Sequence, residues 1–195
     1  GVSRKFDAVV LATGYLHHYP FLPSSLALKS PNNVYPENLF QGVSLKDNNN
    51  LFYLGAQDQW FTFNMFDAQA WYVRDLILGR AQFPDAAAQN AHMDLWLKRF
   101  AALETSEDQV RFQADYIRDL INQTDYPMFD IDEAADAFMH WIAAKQENIL
   151  TYRDQVYRSV VTGTMAAEHH TPWMRELDDS IERYLSTPEQ DELEK

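Results

Sequence analysis

The sequence predicts an α/β protein in which two strand-like segments precede an almost wholly helical second half. Three observations carry this. Phe6 to Thr13 (Phe-Asp-Ala-Val-Val-Leu-Ala-Thr) is a nearly continuous apolar run ended by Gly14. Continuous rather than alternating apolarity marks a strand covered on both faces, as in a parallel sheet. Leu51 to Gly55 is a second compact strand candidate, introduced by the turn-forming run Asn48-Asn49-Asn50. From about Ala86 onward the pattern becomes helical.

Taken in order, Pro20, Pro23, Pro31 and Pro36 break the chain after the first strand into an extended, loop-rich stretch. After the second strand, Asn64 is placed as an N-cap with Asp67 three residues on, and Gly79 is placed to end the helix. Ala68, Trp71, Tyr72, Asp75, Leu76 and Arg80 give that helix a mostly apolar face with a few charges. A strand, a loop and then a helix near the end of a sheet form a ligand-facing arrangement in α/β proteins. Val110, Ala114, Ile117 and Ile121 recur at spacings of four, three and four, one stripe on a helix, with Thr105 and Asp108 resembling its capping pair. Tyr126-Pro127 separates it from a helix over about 131–150, with Asp130 and Glu133 at its start and Ala134, Phe138, Trp141 and Ile142 inward. A last short helix, roughly Met174 to Leu185, follows Pro172, and the acidic tail from Thr187 is expected to fray.

Composition narrows the classes. The 195 residues are 46% hydrophobic and 14% aromatic, enough for one sizeable core or two small ones. A net charge of -13 disfavours nucleic-acid backbones and anionic membrane surfaces as partners. The absence of cysteine removes disulfides, thiolate zinc sites and cysteine nucleophiles, and it fits a reducing, cytoplasmic setting. No apolar run is long enough to predict a membrane span, and the amino terminus has no signal-peptide pattern. Opening almost directly on a strand, the chain reads as a piece of a longer polypeptide.

Glycine placement is the sharpest exclusion. Gly1, Gly14, Gly42, Gly55, Gly79 and Gly163 are too widely spaced for a G-x-G-x-x-G turn or a Walker A loop. No G-x-S-x-G elbow occurs either. The pairs His17-His18 and His169-His170 lack metal-ligand spacing, so no metal site is expected. The aromatics Trp60, Phe61, Phe63, Phe66 and Trp71 suit core and cofactor packing better than base stacking, given the charge.

Taken alone, Leu11-Ala12-Thr13-Gly14-Tyr15 is a strand capped by a tight glycine turn. Following Asp7-Ala8-Val9-Val10, it resembles the signature by which flavin-containing monooxygenases leave their NADP-binding domain. The similarity continues. Gly55-Ala56-Gln57-Asp58-Gln59-Trp60-Phe61-Thr62-Phe63-Asn64-Met65-Phe66-Asp67-Ala68-Gln69 resembles the flavin-facing loop and helix of the bacterial trimethylamine-oxidising type. Glu147 to Asp154, Thr162-Gly163-Thr164-Met165 and His169-His170-Thr171-Pro172-Trp173 are similar to the same subgroup's carboxy-terminal extension. The FAD fingerprint, the NADP fingerprint and the family's His-containing motif do not occur in the chain.

The resemblance implies the carboxy-terminal portion of a two-domain, Rossmann-like FAD/NAD(P)-binding flavoprotein with a helical extension. Residues 1–15 would be the exit strand from the NADP-binding domain, 16–80 the closing part of the FAD-binding domain and 81–195 the extension. The implied reaction is NADPH- and O2-dependent N-oxygenation of trimethylamine or a similar small amine through a C4a-hydroperoxyflavin. By carry-over, Gln59 and Thr62 are expected to touch FAD, an amide and a hydroxyl being able to satisfy ring and ribityl polar atoms. The plainer alternative is that both bond local backbone. Arg153 is expected to meet NADP, against the ordinary fate of an ion pair with Asp154 or a helix neighbour. Trp141 would line the cavity near the nicotinamide or simply pack in the core. Implied partners are an amino-terminal segment carrying the dinucleotide fingerprints, a small amine and a second copy in a homodimer. Two other readings stay open: a non-catalytic helical interaction or dimerisation module, and a sulfide or Baeyer–Villiger oxygenase of the same chemistry.

Overall fold

The computed structural model describes residues 3–14, 18–28, 33–160 and 162–165. The chain forms two units, residues 1–128 and 129–195. It is a mixed structure in which four helices accompany a small sheet among the described residues.

In the first unit, β1 (Leu39–Phe40) and β2 (Ser44–Leu45) pair antiparallel, with Leu39 opposite Leu45 and Phe40 opposite Ser44. Gln41 and Gly42 join them with φ of 51° and 65°. Two consecutive left-handed residues are what a tight hairpin turn demands. Residues 51–53 run along the other side of β2: the Tyr53 N–H donates to the Val43 carbonyl at 2.8 Å and the Leu45 N–H to the Leu51 carbonyl at 3.0 Å. The expected strand at Leu51–Gly55 is thus reduced to a bridge between Phe52 and Ser44, because Gly55 at φ 69° turns the chain away. Leu28, Leu39, Leu45, Tyr53 and Ala56 bury a small apolar core around this sheet.

The run Phe6–Thr13 is a correction. It carries no strand, and Phe6, Val9, Val10 and Leu11 are all exposed, Val10 by 89%. A strand of this type needs a hydrogen-bonded neighbour on each edge and cover on each face. Among the described residues nothing supplies either.

Helix α1 runs Thr62–Ile77. Asn64 is not its N-cap as expected: the helix starts three residues earlier, with Phe61 at the cap position and no side chain capping it. Asn64 falls inside the first turn of α1 instead, with its side chain near that of Tyr126. The other end follows expectation. Gly79, at φ 68°, donates to the Leu76 carbonyl and Arg80 donates to that of Asp75, the paired bonds of a Schellman ending. Helix α2 (Ala86–Phe100) is capped by the Asp85 carboxylate, which accepts from the Ala88 N–H at 2.8 Å. Helix α3 (Ser106–Ile121) buries the whole expected stripe of Val110, Ala114, Ile117 and Ile121, and Thr105 and Asp108 form a reciprocal capping box. Helices α1 and α3 pack on each other. Tyr35, Trp96, Phe112 and Tyr116 stack into an aromatic core, with Tyr35 and Trp96 parallel at 5.7 Å and Trp96 and Phe112 edge-to-face at 5.1 Å.

In the second unit, α4 spans Ile131–Glu147, with the Asp130 carboxylate accepting from the Glu133 N–H. It stops three residues short of the expected end. The Asn148 side chain accepts from the Leu150 N–H at 3.0 Å, a local turn that competes with helix continuation. Ile131, Ala135 and Ala144 are its most buried residues, while Ala134, Phe138, Trp141 and Ile142, expected inward, are half-buried beside them. A 3-10 turn at Tyr152–Asp154 packs against α4. Arg158 and Met165 then bridge across a turn held by Gly163 at φ 68°. The expected helix Met174–Leu185, the tail from Thr187 and the His169–Trp173 motif lie outside the described residues, as do Tyr15, His17 and His170.

Candidate functional site

The loop from Gly55 to Phe61 is built to be held still. Gln69, on the inner face of α1, accepts from the Gly55 N–H at 2.8 Å and donates to the Gln57 Oε1 at 2.8 Å and to the Tyr116 hydroxyl at 3.0 Å. Tyr116, on α3, donates in turn to the Gln41 carbonyl at 2.8 Å. Gln113, one turn earlier on α3, accepts from the Trp60 N–H at 2.7 Å and donates to the Asp58 carbonyl. Gln57, Gln69, Gln113 and Tyr116 are all buried. Burial raises the Tyr116 phenol well above its ordinary value, so the hydroxyl stays protonated and able to donate. These buried bonds favour one loop conformation, since the Gly55 and Trp60 N–H groups, the Asp58 carbonyl and the Gln57 Oε1 would all lose their partners if the loop moved.

Two glycines make the close approach possible. A Cβ on Gly42 would lie 2.6 Å from the Tyr116 hydroxyl, and one on Gly55 would lie 2.5 Å from Phe66. Both residues also hold positive φ, so substitution would be strained as well as crowded.

This frame holds the segment that carries Gln59, just before α1, and Thr62, its first residue. Both are half-buried. The Gln59 N–H is bonded to the Asp58 carboxylate at 3.0 Å, whereas its side-chain Oε1 is shielded from solvent and meets no donor. Thr62 is the first residue of α1, where the leading backbone N–H groups have no side-chain cap. Phe63, next in sequence, is 79% exposed. The edge therefore combines one unpartnered acceptor, free N–H donors at the positive end of a 16-residue helix, a hydroxyl and an apolar ring. That set suits a flat polar ring system with donors and acceptors on one rim, as a flavin has, and the helix end suits electron-rich oxygens.

The second unit gathers the other expected residues. Trp141, on α4, meets the buried Tyr152 edge-to-face at 5.2 Å. The exposed Arg153 lays its guanidinium over the Tyr152 ring at 4.8 Å. Trp141 and Arg153 are thus two sides of one cluster, joined by Tyr152. Sequence reasoning assigned Tyr152 no part in this. The available signal was its position beside Arg153 and eleven residues beyond Trp141, just past the helix end. It also missed the framing glutamines, which lie on apolar helix faces among Met65, Ala68 and Tyr72 in α1 and beside Phe112 and Ala114 in α3.

No protein-family model matches the chain. Individual relatives do. The chain is 52% identical over 189 residues, 97% of its length, to the trimethylamine monooxygenase of Methylocella silvestris. It is 50% identical over 185 residues to that of a Roseovarius species and 41% identical over 186 residues to that of Pelagibacter ubique. The crystal structure of Tmm from a Pelagibacter species superposes with a TM-score of 0.81 at 44% identity, covering 88% of this chain and 39% of that one. The chain spans 42% of the length of these curated relatives and matches their carboxy-terminal part.

Proposed function

We propose, with the match to the carboxy-terminal part of trimethylamine monooxygenases as premise, that this chain is the carboxy-terminal part of an NADPH- and O2-dependent flavin monooxygenase acting on trimethylamine or a similar small amine. The observation that carries the reading is 52% identity sustained over 97% of the chain. The site's chemistry supports it independently, through the unpartnered Gln59 acceptor set beside an uncapped helix start.

In this reading Gln59, Thr62 and the first N–H groups of α1 hold the polar rim of FAD, and the Gln69–Tyr116–Gln113 network keeps the loop in place to do so. The bound flavin, reduced by NADPH, supplies the oxygen chemistry. Arg153 holds an anionic part of NADP, and Trp141 covers the nicotinamide side and helps exclude water. The same reading makes residues 1–15 the exit strand of an NADP-binding domain, 16–80 the closing part of a two-domain Rossmann-like FAD-binding fold and 81–195 a helical extension. The glycine fingerprints that grip the pyrophosphates come from an amino-terminal segment, whose sheet gives Phe6–Thr13 its missing neighbours. The enzyme would work in the cytoplasm as a homodimer.

The test is turnover by the full-length protein with trimethylamine, a thioether and a cyclic ketone offered separately, following NADPH oxidation and oxygenated product together. The reading expects trimethylamine-dependent oxidation matched by N-oxide. Product from the thioether or ketone alone would move the assignment to a sulfide or Baeyer–Villiger oxygenase. No substrate-dependent oxidation at all would favour a non-catalytic module.

A further inference from the structure

The chain is strongly acidic, and its described arginines mostly find carboxylates. Arg74 pairs with Asp75 and Asp125, Arg99 and Arg118 share Asp115, and Arg80 reaches Asp75. The second unit breaks this habit. Its three described cations are Lys145, Arg153 and Arg158, and Arg158 is taken up by the Gly163 carbonyl at 2.8 Å. Lys145 and Arg153 form no ion pair among the described residues. Both sit on the same aromatic pair instead. The Lys145 Nζ lies 5.3 Å from the Trp141 ring centre and 6.0 Å from that of Tyr152, whose ring also carries the Arg153 guanidinium at 4.8 Å.

Two exposed like charges held near one buried tyrosine repel each other unless an anion lies between or beside them. In a chain with a net charge of -13, carboxylates to neutralise them are plentiful, yet they are paired with rings. Ring faces hold a cation in place while leaving its N–H donors free to meet a ligand. We infer that Lys145 is a second nucleotide-binding cation, acting with Arg153 as a two-point clamp on the phosphates of NADP above the Trp141–Tyr152 pair. The inference rests on the reading of Arg153 as an NADP contact and adds to it a residue that neither sequence motif nor resemblance singled out. Lys145 stands one helical turn beyond Trp141, which places the two on one face of α4. Arg153 comes from the turn that follows, so the clamp closes across the end of the helix.

The experiment is titration of the full-length oxidised flavoenzyme with NADP+, read from the flavin absorbance change or by calorimetry, for Lys145→Gln, Lys145→Arg and Arg153→Ala. Losing one charge-assisted contact to phosphate should weaken NADP+ by roughly ten-fold. Lys145→Gln and Arg153→Ala should each do so, with Lys145→Arg close to wild type and the salt dependence of binding shallower in both weakened variants. Melting temperature and flavin content should not move in Lys145→Gln. If Arg153→Ala weakens NADP+ and Lys145→Gln does not, the clamp fails while the Arg153 reading stands. If neither variant weakens it, both fail. Equal weakening by Lys145→Gln and Lys145→Arg together with a lowered melting temperature would reduce Lys145 to a packing residue and overturn the inference.

Discussion

Gln59 has a carboxamide oxygen closed off from water with nothing to accept from, an arrangement that costs stability until a donor arrives. Removing it should therefore harm ligand retention more than folding. Gln59→Ala and Thr62→Val in the full-length enzyme should each purify with less bound FAD, each having lost a contact of about 0.5–1.5 kcal/mol. The check is flavin-to-protein absorbance ratio after gel filtration, and an unchanged ratio in both returns these residues to a local structural role. Tyr116→Phe makes the opposite prediction. It strips the Gln41 carbonyl of its donor and removes one acceptor from Gln69, at a cost of about 1–3 kcal/mol in denaturant unfolding. A loss below about 0.5 kcal/mol would mean water or a shifted side chain replaces the hydroxyl. Sequence showed Gln59 and Thr62 only through resemblance, and showed nothing of Gln69 or Gln113. A glutamine on an apolar helix face looks like a break in the stripe, and only the tertiary partner reveals why it is there.

At the scale of the element, the helices were legible where their ends carry their own chemistry. Helix α3 was readable in full because the stripe from Val110 to Ile121 and the Thr105–Asp108 box are local signals. Thr105→Ala should cost about 1 kcal/mol by thermal or denaturant unfolding. Asp108 is held below its ordinary carboxyl value of 3.8, first by Thr105 and then by the N–H groups of Glu104 and Thr105. A carboxyl lowered by folding contributes stability that is present above that ordinary value and is lost as pH falls through the lowered one. The difference between wild type and Thr105→Ala should accordingly be full at neutral pH and shrink in acid; a difference constant with pH would show that the box does not depend on the charge. Helix ends without such paired signals were misread. Asn64 looked like a cap but lies inside a helix that begins at Thr62, and α4 stops at an Asn148 turn that periodicity alone does not register.

For the whole molecule, the least legible part was the strand Phe6–Thr13. Its composition describes an environment, cover on both faces, that the described residues do not provide. The same logic applies to the cofactor. In the proposed reading this chain presents one rim of a flavin site, from Gly55 to the start of α1, and it has no G-x-G-x-x-G turn with which to hold a pyrophosphate. The most direct measurement is a fluorescence titration of FAD against the 195-residue chain and, in parallel, against the same chain joined to the amino-terminal segment that its relatives carry. The account predicts stoichiometric flavin binding at micromolar concentration by the joined protein and none by the chain alone. Stoichiometric binding by the chain alone would contradict it.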